Sequence, residues 1–583
     1  MTDINGGKLI ADVLRKQGVQ FLFTLCGGHI SPILVESQRA GIRVVDMRDE
    51  KSAVFAADAV ARMTGVPGVA AVTAGPGVTN TLTAIQNAYL AQSPLVLLGG
   101  ATATALRGRG ALQDIDQISP IQSMVKMTRQ VKRVKDLVGA LEEGFEVALD
   151  GVPGPVFIEC PVDLLYSQEL VRGMYADMTG GGKKNSALPM RALHKLAMAH
   201  LFRVFQGADK VAAKPAQRRT PPTAARADVQ KIAGMLEAAR KPVIVLGSQS
   251  VVESMEAQQT ADALRALGAP VFLGGCARGL LGRDGSDIQF RHARGKALKE
   301  ADFVLVCGFP FDFRMGYGLG INRKADLVTV NRNPVELTKN RRPTLAVLAD
   351  AGRTLQDLAR AARPSRLVWE PWYAELRKNE QKRDAEIAEQ ARARTEYVNP
   401  LYLCREIEKV MADDAVIVVD GGDFVATASY ILRPRNPLCW LDPGVFGTLG
   451  VGGGYAAGAA LARPGAETWL FWGDGSSAYS LAEFDTYARH GLPVIAVIGT
   501  DASWNQIARD QVTLLGSDCG TALRRTDYHK VAEGYGGVGL VVKDPADVPR
   551  VLAEAKEHAR NGRPVCINAW IGATDFRKGS LSI

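Results

Sequence analysis

Short apolar runs rich in Val, Ile, Leu and Phe alternate along this chain with stretches that read as amphipathic helices. That alternation is the signature of parallel strands joined by helical crossovers. The runs fall into three blocks. The first reaches about residue 176, with strand candidates at 21–25, 69–73, 95–98 and 156–159. The second extends from about 227 to 365, with candidates at 242–247, 271–273, 303–307 and 327–331. The third begins near 400, with candidates at 415–419, 468–472, 494–498 and 565–570. The pattern predicts an α/β protein of three doubly wound parallel-sheet domains, 1–176, 227–365 and 400–583. Between them lie an insert at 177–226 and a charged, helical connector at 366–399.

Length agrees with this division, since a single core rarely grows past ~250–300 residues and the chain has 583. Apolar residues at 47% and charged residues at 22% exclude a disordered or fibrous chain. The formal net charge of +9 raises a nucleic-acid partner, but its distribution argues against one. Between 183 and 226 ten lysines and arginines stand against Asp209 alone, so the rest of the chain is neutral. This insert carries a predicted helix with Leu193, Leu196, Ala197, His200 and Val204 near one face. Packing on the body or solvation is the first reading of the insert, and contact with a membrane surface the second. The eight cysteines are scattered without metal-ligand spacing and predict reduced thiols in the cytoplasm. No apolar signal segment opens the chain, and the uncharged run 445–462 holds six glycines, which suits a close backbone approach better than a lipid-facing helix.

The third block carries the strongest chemical motif. The run TWLFWGDGSSAYS ends a strand on Gly473, Asp474, Gly475 and Ser476, and the next strand, PVIAVIGTDAS, ends on Thr500 and Asp501. Two consecutive parallel strands thus deliver two carboxylates to one sheet edge, where ligands of open α/β sheets bind. Asp474, Asp501 and a backbone carbonyl such as that of Ser503 form an oxygen set for a hard cation such as Mg²⁺. The N–H groups of Gly475 and Ser476 could meet a diphosphate. Taken alone, Gly-Asp-Gly also fits an ordinary turn.

Its companions point further. The segments VVDMRDEKSAVFAADAVAR, VTAGPGVTNTLTAIQNAYLAQSPLVLLGG, DGGDFVATASY and FGTLGVGGGYAAGAALA stand in the order found in the thiamine diphosphate (ThDP) enzyme family, which this chain resembles over all but about 178–226. The resemblance implies an N-terminal pyrimidine-binding domain, a central domain and a C-terminal domain for diphosphate and Mg²⁺. It implies that Glu50 contacts the cofactor pyrimidine at N1′, helped by the apolar neighbours Val54 and Phe55 to stay protonated. Gly447 and Leu449 match the backbone partner and apolar wedge of the pyrimidine, and Gly422 and Asp423 match positions near the diphosphate. In the family these contacts come from different subunits, which implies at least a homodimer, and a dimer of dimers by extension. Where the family usually has two asparagines this chain has Thr500 and Asp501, which keeps a metal oxygen and adds a negative charge.

Within the family, LCGGHISPIL and RGALQDIDQIS place His29 and Gln113 where benzaldehyde lyase and its relatives surround the reacting carbon. Each also has an ordinary reading, His29 as a helix-entry histidine and Gln113 as a backbone partner. The segments TLCGGHISPIL, GTDASWNQIARDQV and TDFRKGSLSI resemble 2-hydroxyacyl-CoA lyases of the acetolactate-synthase-like type. This implies cleavage of an acyl-CoA substrate to formyl-CoA and an aldehyde, or the reverse condensation, with Trp504, Asn505, Gln506 and the tail 575–583 over the cofactor. In that reading Arg577 and Lys578 meet CoA phosphates. The alternatives are an acetolactate synthase acting on pyruvate and, from another class, an inactive scaffold binding a membrane surface or partner. The central block lacks a flavin-type segment, which argues against FAD. Asn331 replaces the acid that often ends its strand, which leaves ADP there open.

Overall fold

The computed structural model describes residues 5–180, 188–217, 219–285 and 287–578. Its contacts group Val66–Arg219 with the chain up to Ala61 as one unit, and Arg62–Gly65 with Thr220–Ile583 as the other.

The first unit is built on a six-stranded parallel sheet. Its strands are β1 (Phe21–Leu25), β2 (Arg43–Asp46), β3 (Gly68–Val72), β4 (Leu95–Ala101), β5 (Met127–Gln130) and β6 (Pro155–Pro161), in the order β2-β1-β3-β4-β6-β5. The second unit holds two such sheets. In the central one, β7 (Pro242–Leu246), β8 (Val271–Leu273), β9 (Gln289–Phe290), β10 (Phe303–Cys307), β11 (Asp326–Asn331) and β12 (Leu345–Leu348) take the order β12-β11-β10-β7-β8-β9. That is the dinucleotide-fold order, with its switch point between β7 and β10. The last sheet comprises β13 (Val416–Asp420), β14 (Trp440–Leu441), β15 (Thr468–Gly473), β16 (Val494–Thr500), β17 (Val538–Val542) and β18 (Val565–Trp570). Its order, β14-β13-β15-β16-β18-β17, repeats that of the first sheet strand for strand.

All twelve strands expected from the sequence are present, and the six further ones are the two edges of each sheet. The reason lies in burial. Interior strands such as β3, β7 and β13 are buried at every position and therefore read as continuous apolar runs. An edge strand such as β5 (MTRQ) is partly exposed and polar, so it leaves no such run, while β12 (LAVL) is apolar but short and half-exposed. Each sheet carries its own core. The connector forms the helix Arg366–Gln390, whose Trp369, Trp372, Tyr373 and Leu376 enter the central core while Ile387 enters the C-terminal one.

Of the basic insert, 181–187 and Arg218 lie outside the described residues. The described part includes the helix Leu188–Phe205, which packs on the first unit through Leu201, Val204 and Phe205. The buried stripe follows 194, 197, 198, 201, 204 and 205, so Leu193 and Leu196 do not join Val204 on the packed face as the sequence suggested. They lie on the exposed side, Leu196 at 68%. The apolar count around this helix is too even for periodicity to pick the face; His194 and His200, which bond to Thr179 and Thr104, select it. Among the described residues no helix is long and apolar enough to cross a membrane.

This assignment of faces is testable by hydrogen exchange. Leu201→Ala leaves a cavity costing about 2–5 kcal/mol and lowers amide protection in the helix at least tenfold. Leu196→Ala, within about 0.5 kcal/mol of neutral, leaves protection unchanged.

Candidate active site

In the first unit, four neighbouring strands end at one sheet edge. The loop after β1 carries His29, the turn after β2 leads to Glu50 at the start of helix Glu50–Thr64, and the loop after β4 carries Gln113. Between them runs the segment Thr73–Asn80 that follows β3, and it touches all three. Thr73 Oγ1 lies 3.3 Å from His29 Nδ1. Asn80 Nδ2 donates to Glu50 Oε2 at 3.1 Å. Gly75 packs on Gln113 so closely that a Cβ added there would sit 3.0 Å from the Gln113 Cβ. Gly75 also has φ +62, a left-handed conformation that a larger residue would strain.

His29 and Gln113 border one cavity. Burial lowers the His29 pKa, which keeps the imidazole neutral near pH 7 and able to take up a proton. Gln113 itself has φ +61, a conformation rare outside glycine and of the kind that clusters at functional sites. Glu50 is buried at 7% exposure, on a helix whose Val54 and Phe55 are fully buried.

Two residues without a signal of their own in the sequence hold this loop. Gln117, fully buried, accepts the Gly75 N–H at 2.7 Å and donates Nε2 to the Gly100 carbonyl and to Glu159, each at 3.0 Å. Glu159 on β6 is completely buried and also receives Arg107 and Gln130. Charge-assisted bonds in so dry a setting are strong and directional, so the chain Glu159–Gln117–Gly75 fixes where the loop stands.

In the second unit the ends of β13, β15 and β16 deliver Asp420 to Asp423, Gly473 to Ser476, and Thr500 to Ser503 to one edge. Asp474 accepts from Gly475 N at 2.8 Å and from Ala502 N at 2.7 Å, and Asp501 from Ser503 N at 3.1 Å. Ala502 reaches Asp474 by adopting φ +62, a strained turn between the two strand-end groups. The Gly475 N–H, expected to face a diphosphate, is here spent on Asp474. Asp423 starts the helix Asp423–Ile431 and is paired with Arg509, which offsets its charge. Thr500 gives its hydroxyl to Asn568 at 2.6 Å and so faces away from Asp501.

Asp420 was not singled out by the sequence. Fully buried, it accepts from the N–H groups of Gly450 and Gly452 and from Trp472 Nε1, so it pins the turn that bears Gly447 and Leu449 to the end of β13. Gly447 has φ +64, and a Cβ there would meet nothing within 4 Å. That open space beside a left-handed backbone fits the flat ring of a pyrimidine.

The donor set also fits a divalent cation beside a diphosphate. Burial pushes Asp474 up to about 6, and burial with the Asp474 charge pushes Asp501 up to about 7. Two carboxylates that resist ionising together call for a bound positive charge. Among the described residues no cluster of three His, Cys, Asp or Glu side chains forms, here or elsewhere, so a metal at this site would draw on backbone and cofactor oxygens beside the two carboxylates. The central domain does not present an acid to a ribose at the end of β11: Asn331 Oδ1 accepts the Asn333 N–H, and Arg332 is tied to Asp350 and Glu253.

Three family models match in turn along the chain, one within the segment of each sheet. The chain matches "Thiamine pyrophosphate enzyme, N-terminal TPP binding domain" over residues 4–119, the central domain over 229–358 and the C-terminal TPP binding domain over 420–569. This chain belongs to the thiamine pyrophosphate enzyme family. Among similar proteins, 2-hydroxyacyl-CoA lyase 2 of Danio rerio is 46% identical over 99% of this chain and 93% of its own length. The Homo sapiens protein of that name is 44% identical over 99% and 92%. The acetolactate synthase large subunit of Mycobacterium tuberculosis is 32% identical over 97% and 95%.

The raised carboxylates set a pH dependence. Above pH 7 both Asp474 and Asp501 are ionised and would hold a cation; as pH falls through 7 toward 6 protons compete for the same oxygens, and Mg²⁺-supported ThDP binding is expected to weaken. Asp501→Asn removes the like charge, lowers the Asp474 pKa and moves the midpoint of that loss to lower pH. Quenching of tryptophan fluorescence across pH 5.5–8 measures both.

Proposed function

We propose that the chain is a ThDP-dependent carbon–carbon lyase that splits a 2-hydroxyacyl-CoA into formyl-CoA and an aldehyde one carbon shorter, or joins them in reverse. The observation that carries this reading is the meeting of His29 and Gln113 at one cavity, held by the same loop that contacts Glu50. The lyases named above support it through their similarity over nearly the whole chain.

When bound, ThDP supplies a nucleophilic carbon that serves as the electron sink for the broken bond. Glu50 would hold the pyrimidine N1′. Gly447 and Leu449 would seat the ring, Gly422, Gly473, Gly475 and Ser476 would line the diphosphate, and Asp474, Asp501 and Ser503 would hold Mg²⁺. As the C1–C2 bond breaks, the 2-hydroxyl becomes the aldehyde carbonyl and must give up its proton. The neutral His29 imidazole, oriented by Thr73, is the base for that proton, and Gln113 orients the hydroxyl. A proton is returned to the former C1, which leaves as formyl-CoA, so atoms balance without water or an oxidant.

CoA phosphates need cations. A cavity of about 650 Å³ in the second unit has Arg278, Arg291, Arg294, Lys382 and Arg383 in its wall, and we assign the nucleotide end of CoA to it. Arg577, expected to meet those phosphates, lies over the Tyr430 ring, which also borders this cavity. Because Glu50 and the diphosphate residues belong to different units of the fold, and the family's contacts come from different subunits, the proposed functional form is a homodimer or a dimer of dimers. We place it in the cytoplasm, in keeping with eight cysteines that form no disulfide. The second reading, acetolactate synthesis from pyruvate, has the mycobacterial relatives in its favour.

Mass spectrometry of products with ThDP and Mg²⁺ decides between them. Formyl-CoA from 2-hydroxyacyl-CoAs is the expected result, and acetolactate from pyruvate alone would replace it with the second reading. Glu50→Gln lowers kcat by at least about 10²-fold, the loss of one acid–base group.

A further inference from the structure

The loop that follows β16 does not stand alone at the sheet edge. Residues 521–525 run antiparallel beside it and bond to it along its length. Trp504 N donates to the Thr521 carbonyl at 2.8 Å and Leu523 N to the Ala502 carbonyl at 2.8 Å, with Ser503 and Ala522 paired between them. The Ser503 hydroxyl adds a bond to the Thr521 carbonyl at 3.3 Å. The loop needs this backing, because Ala502 is held at φ +62, and a strained residue keeps its conformation only where its surroundings over-determine it.

Arg525 closes the pairing where the loop leaves the sheet. Its Nη1 donates at 2.5 Å to the carbonyl of Thr500, the last residue of β16 and the one before Asp501. Its Nη2 reaches the carbonyl of Ile571, just past β18, at 3.4 Å. The guanidinium is itself held by aromatic rings: its Cζ lies 4.1 Å from the Tyr397 centroid and 5.3 Å from that of Trp570. Those rings meet edge to face at 5.2 Å, so the pair forms a fixed seat for the cation. The Thr500 hydroxyl is tied to Asn568, whose Nδ2 donates to the Thr526 carbonyl at 2.9 Å. Both polar ends of Thr500 therefore answer to the same neighbouring segment.

We infer that Arg525 is a positioning residue for the cofactor's metal: it holds the Thr500 carbonyl, and with it the backbone of Asp501 to Ser503, so that the metal oxygens stand in place before a cation arrives. The inference rests on the reading of Asp474, Asp501 and Ser503 as the Mg²⁺ site and adds the residue that sets their geometry. A guanidinium cannot itself ligate a cation, and its charge beside Asp474 opposes one. The two effects of removing it have opposite signs. By charge alone the site would bind a cation more tightly; by loss of position it binds more weakly.

Mn²⁺ binding to the ThDP-loaded protein, read by electron paramagnetic resonance of the free ion, tests this without turnover. Arg525→Met weakens Mn²⁺ binding about tenfold or more, the range found when a residue that orients metal ligands is lost. Tyr397→Leu keeps Arg525 but frees one side of its guanidinium; it weakens binding about threefold or more and decides the matter if Arg525→Met does not fold. Lys543→Met is the control. Lys543 Nζ lies 3.7 Å from the Trp570 centroid, so its loss disturbs the same indole but leaves Mn²⁺ affinity within about twofold of the parent. Unchanged or tighter binding in Arg525→Met, or an equal loss in Lys543→Met, overturns the inference while Mn²⁺ binding by the parent still upholds the metal site. A parent protein that binds ThDP no better with Mn²⁺ than without it removes the metal-site reading, and the inference with it.

Discussion

The bond between the Gln117 carboxamide and the Gly75 N–H holds the N-terminal half of the site together. Glu50, His29 and Gln113 come from three separate connections, and no hydrogen bond joins one of these side chains directly to another among the described contacts. What relates them is the single loop Thr73–Asn80, which meets each with a different atom. A loop is ordinarily the mobile part of an α/β domain. Here it is anchored through Gln117 to Glu159 in the dry interior of the sheet, so that a rigid element sets the loop and the loop sets the reacting groups.

The C-terminal half is organised the other way, by charge that is not balanced within the protein. Asp474 and Asp501 are brought together by adjacent strands and by the strained turn at Ala502, a pairing of like charges that a bound cation would relieve. Asp420 does a different job one strand away. It spends its lone pairs on glycine N–H groups and an indole, so it works as a structural pin for the pyrimidine turn. The same strand order in the first and third sheets presents the two sets of residues on equivalent edges.

Much of this was legible in the sequence, for identifiable reasons. Interior strands announce themselves because both faces are buried; the edges are harder to read, some because they are polar and partly exposed, such as β5, others because they are only two residues long, such as β9 and β14. The candidate cofactor residues could be proposed from the sequence because they lie in short contiguous motifs, several of them at the end of a strand. Gln117 and Glu159 stand 42 positions apart and meet only because β6 pairs with β4, a fact of topology that no periodicity reveals. Thr73 and Asn80 sat inside a recognised segment, yet their partners are decided by which strands are neighbours. The insert was legible as a helix but not in its facing, since Leu193 and Leu196 are as apolar as Leu201.

The central claim, that one anchored loop positions the catalytic groups, is most directly tested by steady-state kinetics of Gln117→Ala beside cofactor titration. Gln117 makes no hydrogen bond to His29 or Gln113, so its loss acts through Gly75, Gly100 and Glu159. Misplacing reacting groups by about 1 Å costs on the order of 10²-fold. The account predicts that kcat falls by about that factor while KM and Mg²⁺-supported ThDP affinity stay within about threefold of the parent protein. A variant that remains folded with unchanged kcat, or one that loses cofactor affinity and kcat in parallel, would contradict it.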